Sequence, residues 1–135
     1  MRIRLDSAEL DGPLVRLLER MSGERFSNCY QCGNCSGGCP VTYEMEIPPS
    51  QVIRFLQLGK VDEVLAANSM WVCVGCLQCY SRCPKSVSLA KILEAMRQLS
   101  LRRGEDHEPI SEVPAAFLKT APAQALVCGF RKFVS

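Results

Sequence analysis

Histidine is nearly missing from this 135-residue chain, which has only His107. Aromatic residues are sparse as well, at 7%, with a single tryptophan. No apolar run is long enough to span a bilayer, and the opening MRIRLDSAELDGPLVRLLERMSG scatters charges where an export signal needs an uninterrupted apolar stretch. Sixteen basic and fourteen acidic residues leave a formal charge of +2, too balanced to argue for nucleic acid or an anionic membrane as partner. Also lacking are a glycine-rich dinucleotide fingerprint, a P-loop, a Ser/His/Asp set and paired carboxylates in a plausible cleft. These absences lead to the expectation of a cytoplasmic, reduced protein with no membrane insertion and no catalytic site of its own. The length suggests one domain with a modest core.

Cysteine is the exception, with nine residues. A disulfide scaffold would need an oxidising compartment, which the missing export signal argues against. Structural zinc usually takes paired CxxC motifs or adds histidines, and His107 lies far from the cysteines. Eight of the nine fall in two runs, CYQCGNCSGGCP at residues 29–40 and CVGCLQCYSRCP at 73–84. Each run is CxxCxxCxxxCP, the bacterial ferredoxin signature for a 4Fe–4S cluster, and it occurs twice. Three cysteines two residues apart in a looping backbone can point at three corners of one cube. Proline pushes the residue before it toward extended backbone, so Cys39 and Cys83 should leave their loops in another direction. In two-cluster ferredoxins that fourth cysteine serves the other cluster. The expected ligands are Cys29, Cys32, Cys35 and Cys83 for one cluster, and Cys73, Cys76, Cys79 and Cys39 for the second. Gly33, Gly37, Gly38 and Gly75 are candidates for positive φ that would bring backbone N–H groups near cluster sulfurs, or else simple turn glycines. Arg82, one residue before a ligand, is either an electrostatic tuner or a solvent-facing charge.

Helical patterns surround the runs. In DGPLVRLLERMSG, Asp11 is a candidate N-cap, Leu14, Leu17, Leu18 and Met21 form a stripe, and Gly23 is a stop. IPPSQVIRFLQLGKVDEVLAANSMW reads as two helices broken at Gly59, with Val52, Phe55 and Leu56, then Val61, Val64, Leu65 and Asn68. After the second run Leu89, Ile92, Leu93, Met96 and Leu99 share a face, ending at Arg102, Arg103 and Gly104. Only MRIRL alternates with period two. Small βαβ ferredoxins join their cysteine runs with strands, whereas here helices do so. The expected fold is therefore all-α, an alpha-helical ferredoxin packed around two clusters and built from a duplicated unit. The expected organisation is an N-terminal helical segment at 1–25, the two-cluster domain at 26–104 and a proline-containing tail at 105–135. That tail, with Leu126, Val127, Phe130 and Phe133, is either loosely ordered or a docking segment for a partner. Cys128 has no cysteine near it in sequence and reads as an incidental thiol.

Eight cysteines fill eight ligand positions, which favours electron relay over substrate binding at an open iron. Tyr30, Gln31, Gly33, Ser36 and Gly38 in the first run, and Trp71 and Arg82 around the second, closely resemble the C subunit of heterodisulfide reductase over roughly residues 26–100. The resemblance implies two 4Fe–4S clusters carrying electrons from a flavin- and iron–sulfur-containing A subunit to a catalytic, cysteine-rich B subunit with CCG domains. Related doublets occur in iron–sulfur subunits of glycolate oxidase, anaerobic glycerol-3-phosphate dehydrogenase and succinate dehydrogenase, so a component of another CCG-domain oxidoreductase is the alternative. The length of the chain favours a catalytic partner on a separate polypeptide. A free ferredoxin and a purely structural iron–sulfur protein are further alternatives. With roughly −2 on each oxidised cluster and its four thiolates, the loaded protein is near −2 rather than +2.

Overall fold

The computed structural model describes residues 6–101 and 110–133, and among them there is no β-strand. The MRIRL segment, Arg102, Arg103, Gly104 and His107 lie outside the described residues, as does the side chain of Phe133. The chain divides into two compact units, Met1–Met96 and Arg97–Ser135.

In the first unit, α1 (Ser7–Leu10) is capped by the Asp6 carboxylate, which accepts from the Ala8 amide at 3.0 Å. Helix α2 (Pro13–Ser22) begins on a proline, whose missing N–H costs nothing there, and stops at Gly23 with φ 70°. Two expectations for α2 need correction. Gly12, not Asp11, is its N-cap; Asp11 ends α1 and accepts from Arg16 Nε at 3.0 Å. The buried line is Val15, Leu18 and Ser22, so of the expected stripe Leu18 is buried while Leu14, Leu17 and Met21 are half-buried. Ser22 belongs to the core side because its hydroxyl donates to the Leu18 carbonyl at 2.7 Å, so its burial strands no polar group.

Within the first run sits α3 (Asn34–Gly38), and α4 (Pro49–Gln57) follows it. Gly59, at φ 74°, breaks the chain before α5 (Val61–Ala66). A third helix, α6 (Ser69–Val72), leads into the second run, where the sequence suggested two helices in all. Asn68 precedes α6 instead of lying on the stripe of α5. It ties down the distant 44–47 loop: its amide donates to Glu46 Oε2 at 2.8 Å, its Oδ1 accepts from the Glu46 amide at 2.9 Å, and its Nδ2 donates to the Glu44 carbonyl at 2.9 Å. Next to it the buried Ser69 hydroxyl donates to the Ile47 carbonyl and accepts from the Ile47 amide.

The second run holds α7 (Gln78–Ser81) and is followed by α8 (Leu89–Leu101), whose Leu89, Ile92, Leu93 and Met96 are buried and whose Leu99 is half-buried. Helix α3 packs on α7 and on α4, and α4 on α5. Leu18, Phe26, Val52, Leu56, Val64, Met70 and Ile92 are among the side chains that fill the space between these helices.

The second unit contains α9 (Ala115–Thr120) and α10 (Ala123–Phe133). Pro114 and Pro122, read in the sequence as signs of a loose tail, stand immediately before these two helices, where proline is well tolerated. Phe117, Val127 and Cys128 are exposed there, and Leu126 and Phe130 are half-buried. Among the described residues no helix is long and apolar enough to cross a membrane.

Candidate metal centre

The two cysteine runs share one backbone path. Positive φ occurs at the second residue after the first cysteine, at Gln31 (64°) and Gly75 (68°), and again two residues later, at Gly33 (80°) and Leu77 (62°). Glycine thus serves one of the two left-handed positions in each run, but not the same one. Gly37 and Gly38 are helical residues of α3, so the expectation of positive φ at these two is corrected. Gly38 matters for space instead: a Cβ there would stand 2.4 Å from Cδ of Arg82. Short helices α3 and α7 then present the third cysteines, Cys35 and Cys79. Before Pro40, Cys39 is extended, with φ −78° and ψ 121°.

All nine cysteines are free thiols. Eight of them surround two cavities, each of about 350 Å³ of empty space including its mouth. Cys29, Cys32, Cys35 and Cys83 line the first; Cys39, Cys73, Cys76 and Cys79 line the second. Cys128 lines neither. Among the described residues no three Cys, His, Asp or Glu side chains converge tightly enough for a single metal ion. Four thiols ringing a space, with the soft-donor chemistry of thiolate, suit a polynuclear iron–sulfur cluster better than one zinc ion. Leu89, at the start of α8, lines both cavities and is buried.

The sulfurs have partners. Gln31 Nε2 donates to Cys29 Sγ at 3.4 Å and the Val87 amide to Cys83 Sγ at 3.3 Å. Burial pushes the Cys35 thiol pKa up, opposed by the Ser36 amide; at the equivalent Cys79 burial does the same, opposed by the Ala90 amide. Helices α4 and α8 both begin at the cavities, through Pro49 and Ser50 and through Leu89 and Ala90, so their positive ends face the space an anionic cluster would occupy. Ser36 couples α3 to α4: its hydroxyl donates to Ser50 Oγ at 2.8 Å and accepts from the Ser50 amide at 2.9 Å. Cys32 and Cys76, the second cysteines of the two runs, are the exposed ones of the eight. Spacing alone did not reveal the roles of Gln31, Leu77, Ser50 and Leu89. Superposing the two runs in sequence pairs Gln31 with Gly75 and Leu77 with Gly33, which was the available signal for the first two.

Residues 25–87 match the family model of the 4Fe–4S dicluster domain. The iron–sulfur C subunit of the CoB–CoM heterodisulfide reductase of Methanopyrus kandleri is 41% identical over 76 residues, covering 56% of this chain and 40% of that protein. The C2 subunit of the H2/formate:CoB–CoM heterodisulfide, ferredoxin reductase of Methanococcus maripaludis is 35% identical over 98 residues, or 73% of this chain and 53% of the relative. The C subunit of the ferredoxin:CoB–CoM heterodisulfide reductase of Methanosarcina mazei is 29% identical over 103 residues, 74% of this chain and 63% of the relative. The chain thus spans about half the length of the curated relatives it matches most strongly. The match and the cysteine content assign it two 4Fe–4S clusters. The chain is a homologue of the heterodisulfide reductase C subunits, built on a 4Fe–4S dicluster domain at residues 25–87.

Proposed function

We propose that this chain is an electron-transfer subunit whose two 4Fe–4S clusters relay electrons through a heterodisulfide reductase-like complex in the cytoplasm. Cys29, Cys32, Cys35 and Cys83 hold one cluster, and Cys39, Cys73, Cys76 and Cys79 hold the other. Electrons pass from a flavin- and iron–sulfur-containing A subunit to a catalytic, cysteine-rich B subunit with CCG domains. The observation that carries this reading is the pair of cavities, each ringed by four cysteines, with Leu89 as a common wall. A shared wall residue keeps the clusters close, and one exposed cysteine at each cavity gives each cluster an edge at the surface. Leu89, Ile53, Leu93 and Pro49 are buried around the cavities and keep water from their inner faces. The clusters supply the one-electron chemistry; the chain holds them, shields them and sets how readily each accepts charge.

The test is anaerobic purification of the tagged chain from its own cells, followed by a redox titration. The reading expects two larger partners to elute with it, one containing flavin, and both clusters to reduce reversibly. Elution of the chain alone with reversible clusters would indicate a free ferredoxin. Clusters that break down on reduction would indicate structural staples.

A further inference from the structure

The duplicated runs differ in chemistry at the first CxxC gap. In the first run it holds Tyr30 and Gln31; in the second, at the same places, Val74 and Gly75. Gln31 is held at φ 64°, a conformation its counterpart Gly75 adopts at 68° with no side chain to strain. A side chain kept in a glycine conformation is an outlier that points to use. Its use is visible, because the amide Nε2 donates to Cys29 Sγ at 3.4 Å.

Both cavities are lined almost wholly by apolar surface, and in the first Gln31 supplies a side-chain donor to a ligand sulfur. Backbone donors reach sulfur in both, from Val87 to Cys83 and from Ala90 to Cys79, so they do not by themselves separate the two. Taking up one electron adds one negative charge to a cluster that is already anionic. Donors to its sulfurs favour that step, whereas an apolar wall opposes it.

We propose that Gln31, through its bond to Cys29, raises the potential of the cluster ringed by Cys29, Cys32, Cys35 and Cys83. The inference rests on the proposed ligand grouping and on reversible reduction of both clusters. Gln31 is a positioning and tuning residue, since it touches a ligand sulfur and not the electron donor or acceptor. The second run provides an independent control: at Gly75 a Cβ would meet nothing within 4 Å, so a glutamine has room there.

The experiment is an EPR-monitored titration of the full chain with dithionite as the one-electron reductant, on wild type, Gln31→Gly and Gly75→Gln, each checked for eight irons per chain. Wild type should show two one-electron steps. Gln31→Gly should lower one of them by about tenfold in the oxidised-to-reduced ratio, about 59 mV for a one-electron couple, and leave the other in place. Gly75→Gln should raise that other step, and it decides the matter if Gln31→Gly fails to hold its clusters. Two reversible steps that neither variant moves, or both variants moving the same step, would overturn the assignment while leaving the relay intact. Absence of any reversible step in wild type would overturn the relay and this inference together.

Discussion

Gly38 and Arg82 hold the same position in the two cysteine runs, one residue before the fourth cysteine, and they lie against each other. A Cβ at 38 would stand 2.4 Å from Arg82 Cδ and 2.6 Å from its Nε. The contact joins α3 to α7 across the repeat. Because the crowding atoms belong to the far part of an exposed, flexible side chain, Gly38→Ala should be tolerated with Arg82 swung aside. Glycine in a helix costs about 0.5–1 kcal/mol relative to alanine. In an Arg82→Ala background, Gly38→Ala should therefore stabilise by about that amount, and with Arg82 present the gain should shrink or reverse. A double-mutant cycle on thermal midpoints measures the coupling; additive effects would deny the contact.

Gly59 has the opposite prospect. Its φ is 74°, and a Cβ would come 2.1 Å from the carbonyl oxygen of Glu9, which is backbone and cannot swing away. Gly59→Ala should cost about 1–2 kcal/mol for the left-handed conformation alone and more for displacing α1. The ion pair between Lys60 and Glu9 should break with it. Denaturant titration of the loaded protein measures the loss, and a cost below about 0.5 kcal/mol would contradict the packing described.

Ser69→Ala should be damaging although it deletes one oxygen. The buried hydroxyl serves both the amide and the carbonyl of Ile47, at 3.0 Å and 2.8 Å. Leaving buried polar groups unpaired costs about 1–3 kcal/mol. Met45 and Pro49 flank this loop and line the second cavity, so its cluster should bleach earlier than the other under mild denaturant. Equal bleaching of the two would show that the clamp does not serve the cavity.

Leu89, Ile53 and Leu93 separate the cavities by their reach. Leu89 lines both, Ile53 only the first and Leu93 only the second. Leucine or isoleucine to alanine in a core costs about 2–5 kcal/mol. Beyond that loss, Leu89→Ala should expose both clusters to oxygen, Ile53→Ala the first and Leu93→Ala the second. Rates of air bleaching, resolved by EPR of the surviving cluster, distinguish the three.

Much of this was readable from the chain. The buried face of α8 follows from Leu89, Ile92, Leu93 and Met96, because apolar residues three and four apart leave one face to bury. The all-α fold follows from helical spacing between the cysteine runs, where a βαβ ferredoxin would show strands. The face of α2 was not readable, since Ser22 enters the core only by bonding back to Leu18, and polar residues are discounted in any apolar count. Asp11 looked like a cap because it precedes Pro13, yet Arg16, five residues on, takes its carboxylate. Gly37 and Gly38 invited a conformational reading, whereas the need at Gly38 comes from Arg82, a residue 44 positions away. Such long-range contacts have no local signature, and neither does the short α6, which is tied at its start by Asn68 and Ser69 to the 44–47 loop.

The grouping of the eight cysteines underlies both the relay and the tuning by Gln31, and matched single variants test it. Cys83→Ser, Cys29→Ser, Cys39→Ser and Cys73→Ser would each be loaded anaerobically and compared by iron content and by the EPR spectrum of the cluster that remains. Crossed ligation predicts that Cys83→Ser leaves the same surviving spectrum as Cys29→Ser, and Cys39→Ser the same as Cys73→Ser. Cys83→Ser matching Cys73→Ser, with Cys39→Ser matching Cys29→Ser, would mean that each run closes its own cluster, and would contradict it.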